Sequence, residues 1–197
     1  MTRYHHGDLR AALVEASFES LAECGLQRFS VAAVARRIGV SSAAPYRHFP
    51  DRAHLLSAVS AAAARDLRTA IEAAAGEAEN DPVARVASVA GAYVRYVAGT
   101  GAGMSVIFAA ELYQVPDDTR RSETRALMTT LLDLATACAD FPAAVRLLEA
   151  TLAVAHGYVS LYAEGFFART DRSLGEIADR AVDAARALAE NVFVQRH

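Results

Sequence analysis

Residues 46–48 read Tyr-Arg-His, and Arg52 follows four positions later. A phenol, a guanidinium and an imidazole within one helical turn are all hydrogen-bond donors, and two can carry positive charge. Arg36 and Arg37 precede them, and across residues 27–54 five arginines face a single acid, Asp51. Donors grouped in this way suit a polyanion, because each can engage a phosphate oxygen. The formal net charge of -3 points the other way, but the charge is unevenly spread. Residues 1–54 hold seven arginines and four of the six histidines against five acids, while the remainder holds 13 arginines against 18 acids. A basic end on an acidic body is the asymmetry expected when one end meets phosphate.

Catalytic and metal-binding constellations are missing from the sequence pattern. His5 and His6 are adjacent, so their side chains diverge, and a helix break separates His48 from His54. No acid–histidine cluster has metal spacing, and no phosphate loop, nucleophile elbow or carboxylate pair is present. No catalytic residue, metal or cofactor is expected, and the chain does not read as an enzyme. Cys24 and Cys138 lie far apart and read as reduced thiols of a cytosolic protein. The start MTRYHHGDLR lacks the apolar stretch of a signal peptide. No uncharged apolar run approaches the ~18 residues of a membrane span. The expectation is a cytoplasmic protein with no membrane partner.

The elements that must position the basic residues are helical. The 197 residues are 53% hydrophobic and 22% charged, with only 5 prolines, the balance of a packed chain. Alanine dominates, and Leu, Glu and Arg add further helix preference. A first helix is expected from about Asp8 to Cys24, with Val14, Phe18 and Leu21 as its apolar stripe and Gly25 as its stop. Ser30 caps VAAVARRI, where Val31, Val34, Ala35 and Ile38 share one face and Arg36 and Arg37 point away. After a Gly39-Val40 turn, Ser41 or Ser42 caps a third helix ending near Phe49. Further helices are expected at 51–75, 82–98, 102–113, 118–139, 142–168 and 173–194. No strand alternation is present, so the fold class is all-α with about nine helices.

Two of these helices suggest self-association. Along 142–168, Val145, Leu148, Leu152, Ala155, Val159, Tyr162 and Phe166 form one stripe, and Leu147, Thr151, Val154, Tyr158 and Leu161 form a second. A helix apolar on two sides lies between two layers. Along 173–194 the stripe is Leu174, Ile177, Ala181, Ala185, Leu188 and Val192, small enough for close approach. The pattern suits a monomer core or a four-helix interface with a second copy, and the homodimer is the favoured reading.

The Ser30-capped helix, tight turn and Ser41-capped helix have helix-turn-helix spacing, which presents the second helix to the DNA major groove. Pro45 interrupts that short helix. In its first turn amide hydrogens have no intrahelical acceptor, so proline forfeits at most one bond there. It does bias Ala44 away from helical angles. Ser41, Ser42, Ala43 and Ala44 are small and let the backbone approach base edges.

At this point VAAVARRIGVSSAAPYRHFPDRAHLL resembles the DNA-binding signature of TetR/AcrR-type transcriptional regulators, and YHHGDLRAALVEAS resembles the lead-in of one branch. The resemblance covers about residues 4–56. The family usually has an apolar residue at Pro45 and lysine at Arg52. AVAHGYVSLYAEGFF is similar to a His-Gly motif in the ligand-domain helix of some members. The resemblance implies a repressor that grips a palindromic double-stranded operator as a homodimer and is released by a small-molecule effector. It places Tyr46, His48 and Arg52 on phosphates and Ser42, Ala43 and Arg47 in the groove, beside Ser41 and Pro45, with Arg36 and Arg37 flanking. Residues 1–54 would form the DNA-binding domain and 55–197 the ligand-binding and dimerisation domain, linked by 51–75. Candidate pocket linings are Tyr93, Tyr96, Met104, Phe108, Leu112, Leu131 and Tyr158, with Glu111 and His156 as polar anchors and a mostly apolar effector. The alternative is a helical adaptor or small-molecule-binding protein without specific DNA binding, against which the basic face speaks.

Overall fold

The structure is a computed structural model that describes residues 8–78, 81–170 and 172–194, and His5 and His6 lie outside them. Among the described residues there are eight α-helices and no strand: α1 (Leu9–Arg28), α2 (Val31–Arg37), α3 (Arg52–Glu77), α4 (Pro82–Thr100), α5 (Met104–Ile107), α6 (Asp118–Thr136), α7 (Phe141–Ala163) and α8 (Leu174–Val194). They form two compact units. One comprises Met1–Ala64 and Thr100–Thr124, the other Arg65–Gly99 and Arg125–His197. The division falls within α3 and α6, so each of these helices contributes residues to both. None of the described helices is long and apolar enough to cross a membrane.

In the first unit, Asp8 caps α1 by accepting from the Ala11 amide at 3.0 Å. The buried face of α1 is Leu13, Ala16, Ser17, Ser20 and Leu21, rotated from the expected Val14, Phe18, Leu21 stripe. Two serines lie on that face: Ser17 Oγ donates to the Leu13 carbonyl of its own helix at 2.6 Å, and Ser20 Oγ lies 3.8 Å from Cys24 Sγ. Backbone angles leave the helical region at Gly25, where the stop was expected, and a further turn runs on to Arg28. Val31, Val34 and Ala35 of α2 bury against this unit's core, as their spacing requires, and Ile38 is half-buried. Ser30 holds the N-cap position with extended angles but without a side-chain capping bond.

Helix α2 ends in a Schellman motif: Gly39 N–H donates to the Arg36 carbonyl at 3.2 Å and Val40 N–H to the Ala35 carbonyl at 3.0 Å. Gly39 takes φ 73° there, which a residue with a Cβ adopts only with strain.

The third expected helix differs from the sequence reading. No α-helix forms between Ser41 and Phe49; successive tight turns lead into a 3-10 turn over Pro45–Arg47. Proline is the reason. An α-helix would need residue 45 to donate to the Ser41 carbonyl, and Pro45 has no N–H. That carbonyl instead accepts from Ala44 at 3.0 Å, and the Ala44 carbonyl accepts from Arg47 at 3.2 Å. Ala44 nonetheless keeps helical angles (φ -62°, ψ -41°), so the expected bias before proline is overridden by this hydrogen bonding.

The segment joining α4 to α6 also belongs to the first unit. The expected 102–113 helix is split, because Ala109 takes extended ψ (131°) between α5 and a 3-10 turn over Ala110–Gln114. Gly101 (φ 65°) lies directly on α1: a Cβ there would stand 2.5 Å from the Ala22 nitrogen and 2.5 Å from the Leu21 carbonyl carbon.

In the second unit, α7 packs on α8. Asp140 caps α7 by accepting from Ala143 at 3.0 Å. Ser173 and Glu176 form a reciprocal capping box at the start of α8. The Ser173 amide and hydroxyl hold the Glu176 carboxyl below its ordinary range. Ile177, Ala178, Ala181, Ala185 and Ala189 form the buried face of α8, while Leu174, Leu188 and Val192 are half-buried. Cys138 is buried and Cys24 half-buried, both as free thiols.

Gly39 and Gly101 separate two costs. At Gly39 nothing lies within 4 Å of an added Cβ, so Gly39→Ala should cost only backbone strain, about 1 kcal/mol. Gly101→Ala adds a backbone collision and should cost about 2–4 kcal/mol. Denaturant unfolding of the two variants measures the difference.

Candidate nucleic-acid interface

The ridge after α2 is presented by what lies beneath it. Pro45 and Phe49 are buried, and Arg10 covers the Phe49 ring with its guanidinium carbon 5.1 Å from the ring centre. Anchored on both sides, the intervening Tyr46, Arg47 and His48 stand exposed, Tyr46 at 52%. Ser41, Ser42 and Ala43 are exposed just before them. The residues expected to face outward and those expected in the core, Phe49 among them, therefore alternate as a short docking ridge requires.

The arginines divide into two kinds. Arg36 and Arg47 are exposed and make no side-chain hydrogen bond or ion pair among the described residues. Arg37 is exposed too, but its guanidinium engages Glu19 at 3.0 Å and also Glu23, both on α1. The two carboxylates, Glu23 foremost, raise its already high pKa. Arg52 is held more firmly. It donates to the Leu26 carbonyl at 2.8 Å and the Phe29 carbonyl at 3.2 Å, lies over the Phe29 ring at 5.7 Å, and pairs with Glu111. Asp51 caps α3 by accepting from the His54 amide at 3.0 Å, with the His54 ring 2.9 Å away. Those bonds, the ring contact first, keep the Asp51 carboxyl below its ordinary range.

Sequence reasoning missed the groups that fix this end of α3. Ser57 donates to Asp117 at 2.8 Å and Ser60 to the Ile107 carbonyl at 2.7 Å. With Arg52–Glu111 and Gly101, these contacts tie residues 101–117 to the helices that carry the ridge. Their partners are about fifty to sixty positions apart, and no local period signals such pairs. Asp117 also caps α6 through the Arg120 amide at 3.0 Å. Burial pushes its carboxyl up, but the Arg120 amide, the Ser57 hydroxyl and the Arg120 charge outweigh this and leave it below the ordinary 3.8.

The nine candidate pocket residues are split between the units. In the second, Tyr93 is fully buried, with its hydroxyl 3.2 Å from His156 Nδ1. Leu131 is fully buried there, Tyr96 is half-buried, and Tyr158 stacks on Phe167 at 6.2 Å. In the first, Leu112 is buried, Met104 half-buried, Phe108 36% exposed, and Glu111 faces Arg52. Two clefts of the second unit, of about 340 and 330 Å³, have other linings: Glu72, Arg85 and Asp133 mark one, Met128, Val145 and Leu152 the other. No group of three or more metal-ligating side chains occurs among the described residues.

An all-helical chain with an exposed donor ridge behind a Schellman turn is a helix-turn-helix regulator in outline. Residues 13–59 match bacterial regulatory proteins of the tetR family, and residues 86–185 match the tetracyclin repressor-like C-terminal domain. The chain belongs to the tetR family of bacterial transcription regulators, with an N-terminal DNA-binding domain and a C-terminal ligand-binding domain; it is a regulator and not an enzyme. Members of this family bind DNA, dimerise and respond to small-molecule effectors. A protein of unknown function from Rhodococcus sp. RHA1 is similar over 98% of this chain and 99% of its own, at 27% identity and a TM-score of 0.70. A transcriptional regulator from the same organism shares the fold at 21% identity, covering 95% and 97% with a TM-score of 0.63. A TetR protein from Acinetobacter baumannii AYE in complex with minocycline does so at 17%, covering 99% of both with a TM-score of 0.63. No curated protein matches the sequence.

The depressed Asp117 carboxyl sets an acid-side dependence. Its contribution to stability is complete above the ordinary carboxylate value and is lost as pH falls through the lower folded value. Asp117→Asn should therefore lower stability at pH 7 and flatten its fall below about pH 4. Unfolding midpoints at pH 3 and pH 7 measure both effects.

Proposed function

We propose that this regulator is a repressor, binding a palindromic operator as a homodimer and leaving it when a small, mostly apolar effector binds. The observation that carries the reading is the exposed Ser41–His48 ridge, raised on buried Pro45 and Phe49 and flanked by the exposed Arg36. Tyr46 and His48 donate to phosphates, as does Arg52 once its own partner yields. Ser42, Ala43 and Arg47 meet base edges, with Ser41 and Pro45 setting the path of the backbone and Arg36 and Arg37 flanking. The 3-10 geometry is compact, so the small residues 41–44 set how near the backbone comes to the groove.

The dimer forms through residues 142–168 and 173–194. Leu161, Tyr162 and Phe166, exposed at 38%, 37% and 67% in the single chain, favour burial against a second copy. Residues 1–54 act as the DNA-binding domain and 55–197 as the effector and dimer domain, in the cytoplasm where the operator is. The effector lies among Tyr93, Tyr96, Leu131, Tyr158 and His156, which belong to the second unit. Two ridges in a dimer must match half-sites one turn, ~34–36 Å, apart. An effector that favours a conformer with the wrong spacing depletes the DNA-competent form. Residues 51–75 carry that change, since α3 contributes to both units.

Binding to the DNA beside the protein's own coding region, titrated at several salt concentrations, tests the reading. The expected result is saturable, sequence-preferring binding with a steep negative salt slope. Tyr46→Ala should weaken all sequences about equally, and Arg47→Ala should cost about 1–3 kcal/mol and relax preference at one base position. Flat, sequence-blind binding would contradict the proposal.

A further inference from the structure

Arg52 has a fixed pose. Its Nε and one terminal nitrogen are spent on the Phe29 and Leu26 carbonyls, and its face rests on the Phe29 ring. Such a guanidinium has little rotational freedom left, and the edge that remains for an external anion is the terminal one, Nη1 together with the second hydrogen of Nη2. On that edge Nη1 is occupied by the Glu111 carboxylate. Both side chains are about one-third exposed (35% and 38%), so a competing anion can reach the pair from solvent. Arg52 lies four residues past the exposed His48, on the basic stretch that otherwise faces a single acid.

Glu111 is not placed by chance packing of a long side chain. It sits on the 3-10 turn Ala110–Gln114, whose neighbours are fixed by Ser60–Ile107, Ser57–Asp117 and the close approach of Gly101 to α1. The backbone break at Ala109 sets this turn apart from α5. A carboxylate on a separately anchored turn, aimed at the terminal edge of an immobilised arginine, offers Oε2 where a phosphate would offer an oxygen of its own.

We propose that Glu111 is a built-in phosphate mimic: it occupies Arg52 in the free protein and must be displaced when a DNA backbone phosphate takes the same guanidinium edge. The inference rests on the DNA-binding reading above and adds its regulation. Any shift of the 101–117 segment alters how strongly Arg52 is masked, so the segment sets DNA affinity without touching DNA. The competition is between one intramolecular pair and one phosphate, and an exposed ion pair is weak enough to be exchanged.

A phosphate contact is insensitive to sequence, so a fluorescein-labelled random-sequence 40-bp duplex serves as the probe, followed by anisotropy with the full chain at low and moderate salt. Glu111→Gln should tighten binding about two- to fivefold per protomer, the scale of releasing one exposed ion pair. In the Arg52→Gln background the same substitution should give no more than the general charge effect that Asp118→Asn measures. Asp118→Asn, which removes the acid that begins α6 just past that segment and pairs with Arg121, controls for net charge and should give a smaller gain. Thermal melts confirm that each variant is folded. Arg52→Lys is the second background should Arg52→Gln unfold, and its point charge, without the guanidinium fork, should show a reduced Glu111 effect. An equal gain with and without Arg52, or a gain no larger than that of Asp118→Asn, overturns the mimic while leaving the DNA-binding reading in place. A wild-type protein that fails to bind the duplex at low salt overturns both.

Discussion

The hydrogen-bond fork of Arg52 is the constraint on which the first unit turns. One side chain, entering from the start of α3, donates to the Phe29 carbonyl and adds a second donor to the Leu26 carbonyl, which also accepts from the Phe29 amide at 3.3 Å. Carbonyls at a helix end are costly unless a partner is supplied, and here the partner arrives from 23 and 26 positions away in sequence. The fork therefore fixes the direction of α3 against α1, and with it the path of the chain from Phe49 through Pro50 into that helix. Tyr46, Arg47 and His48 project from this path. Glu111 then closes the fork from the opposite side.

Position 45 shows how a locally unfavourable residue is accommodated. Proline removes one helical hydrogen bond, and the chain responds with i→i−3 bonds from Ala44 and Arg47 and a bifurcated acceptor at the Pro45 carbonyl, which takes both His48 and Phe49 at 2.9 Å. The ring itself is buried, so the apolar contact of an ordinary core residue is retained. A segment too short to be stable as an isolated helix gains a fixed φ in return. The ridge it forms belongs to a rigid corner rather than to a regular rod.

Much of this was legible in the residues, and the failures have physical causes. Apolar spacing located α2 and α8 because each buries one face and period alone marks it. It misread α1, since Ser17 and Ser20 look polar in sequence yet lie on the buried side, Ser17 bonded to the Leu13 carbonyl of its own helix and Ser20 beside the Cys24 thiol. It expected an α-helix at 41–49 because the effect of Pro45 depends on which carbonyl lacks its donor, a matter of register. It gave no sign of the Arg52–Glu111 pair, because a carboxylate's partner is decided by tertiary approach and Arg52 lies 59 positions away. Five of the nine pocket candidates share the second unit, where the Tyr93–His156 bond joins two of them, and the rest fall in the first.

The account's central claim is that two copies of the Ser41–His48 ridge enter successive major grooves on one face of DNA. Hydroxyl-radical footprinting of the DNA beside the protein's own coding region tests it most directly. The account predicts two short protected patches, related by a dyad and centred about one helical turn or a small multiple apart on the same face. A single patch, or uniform protection without a repeat, would contradict it.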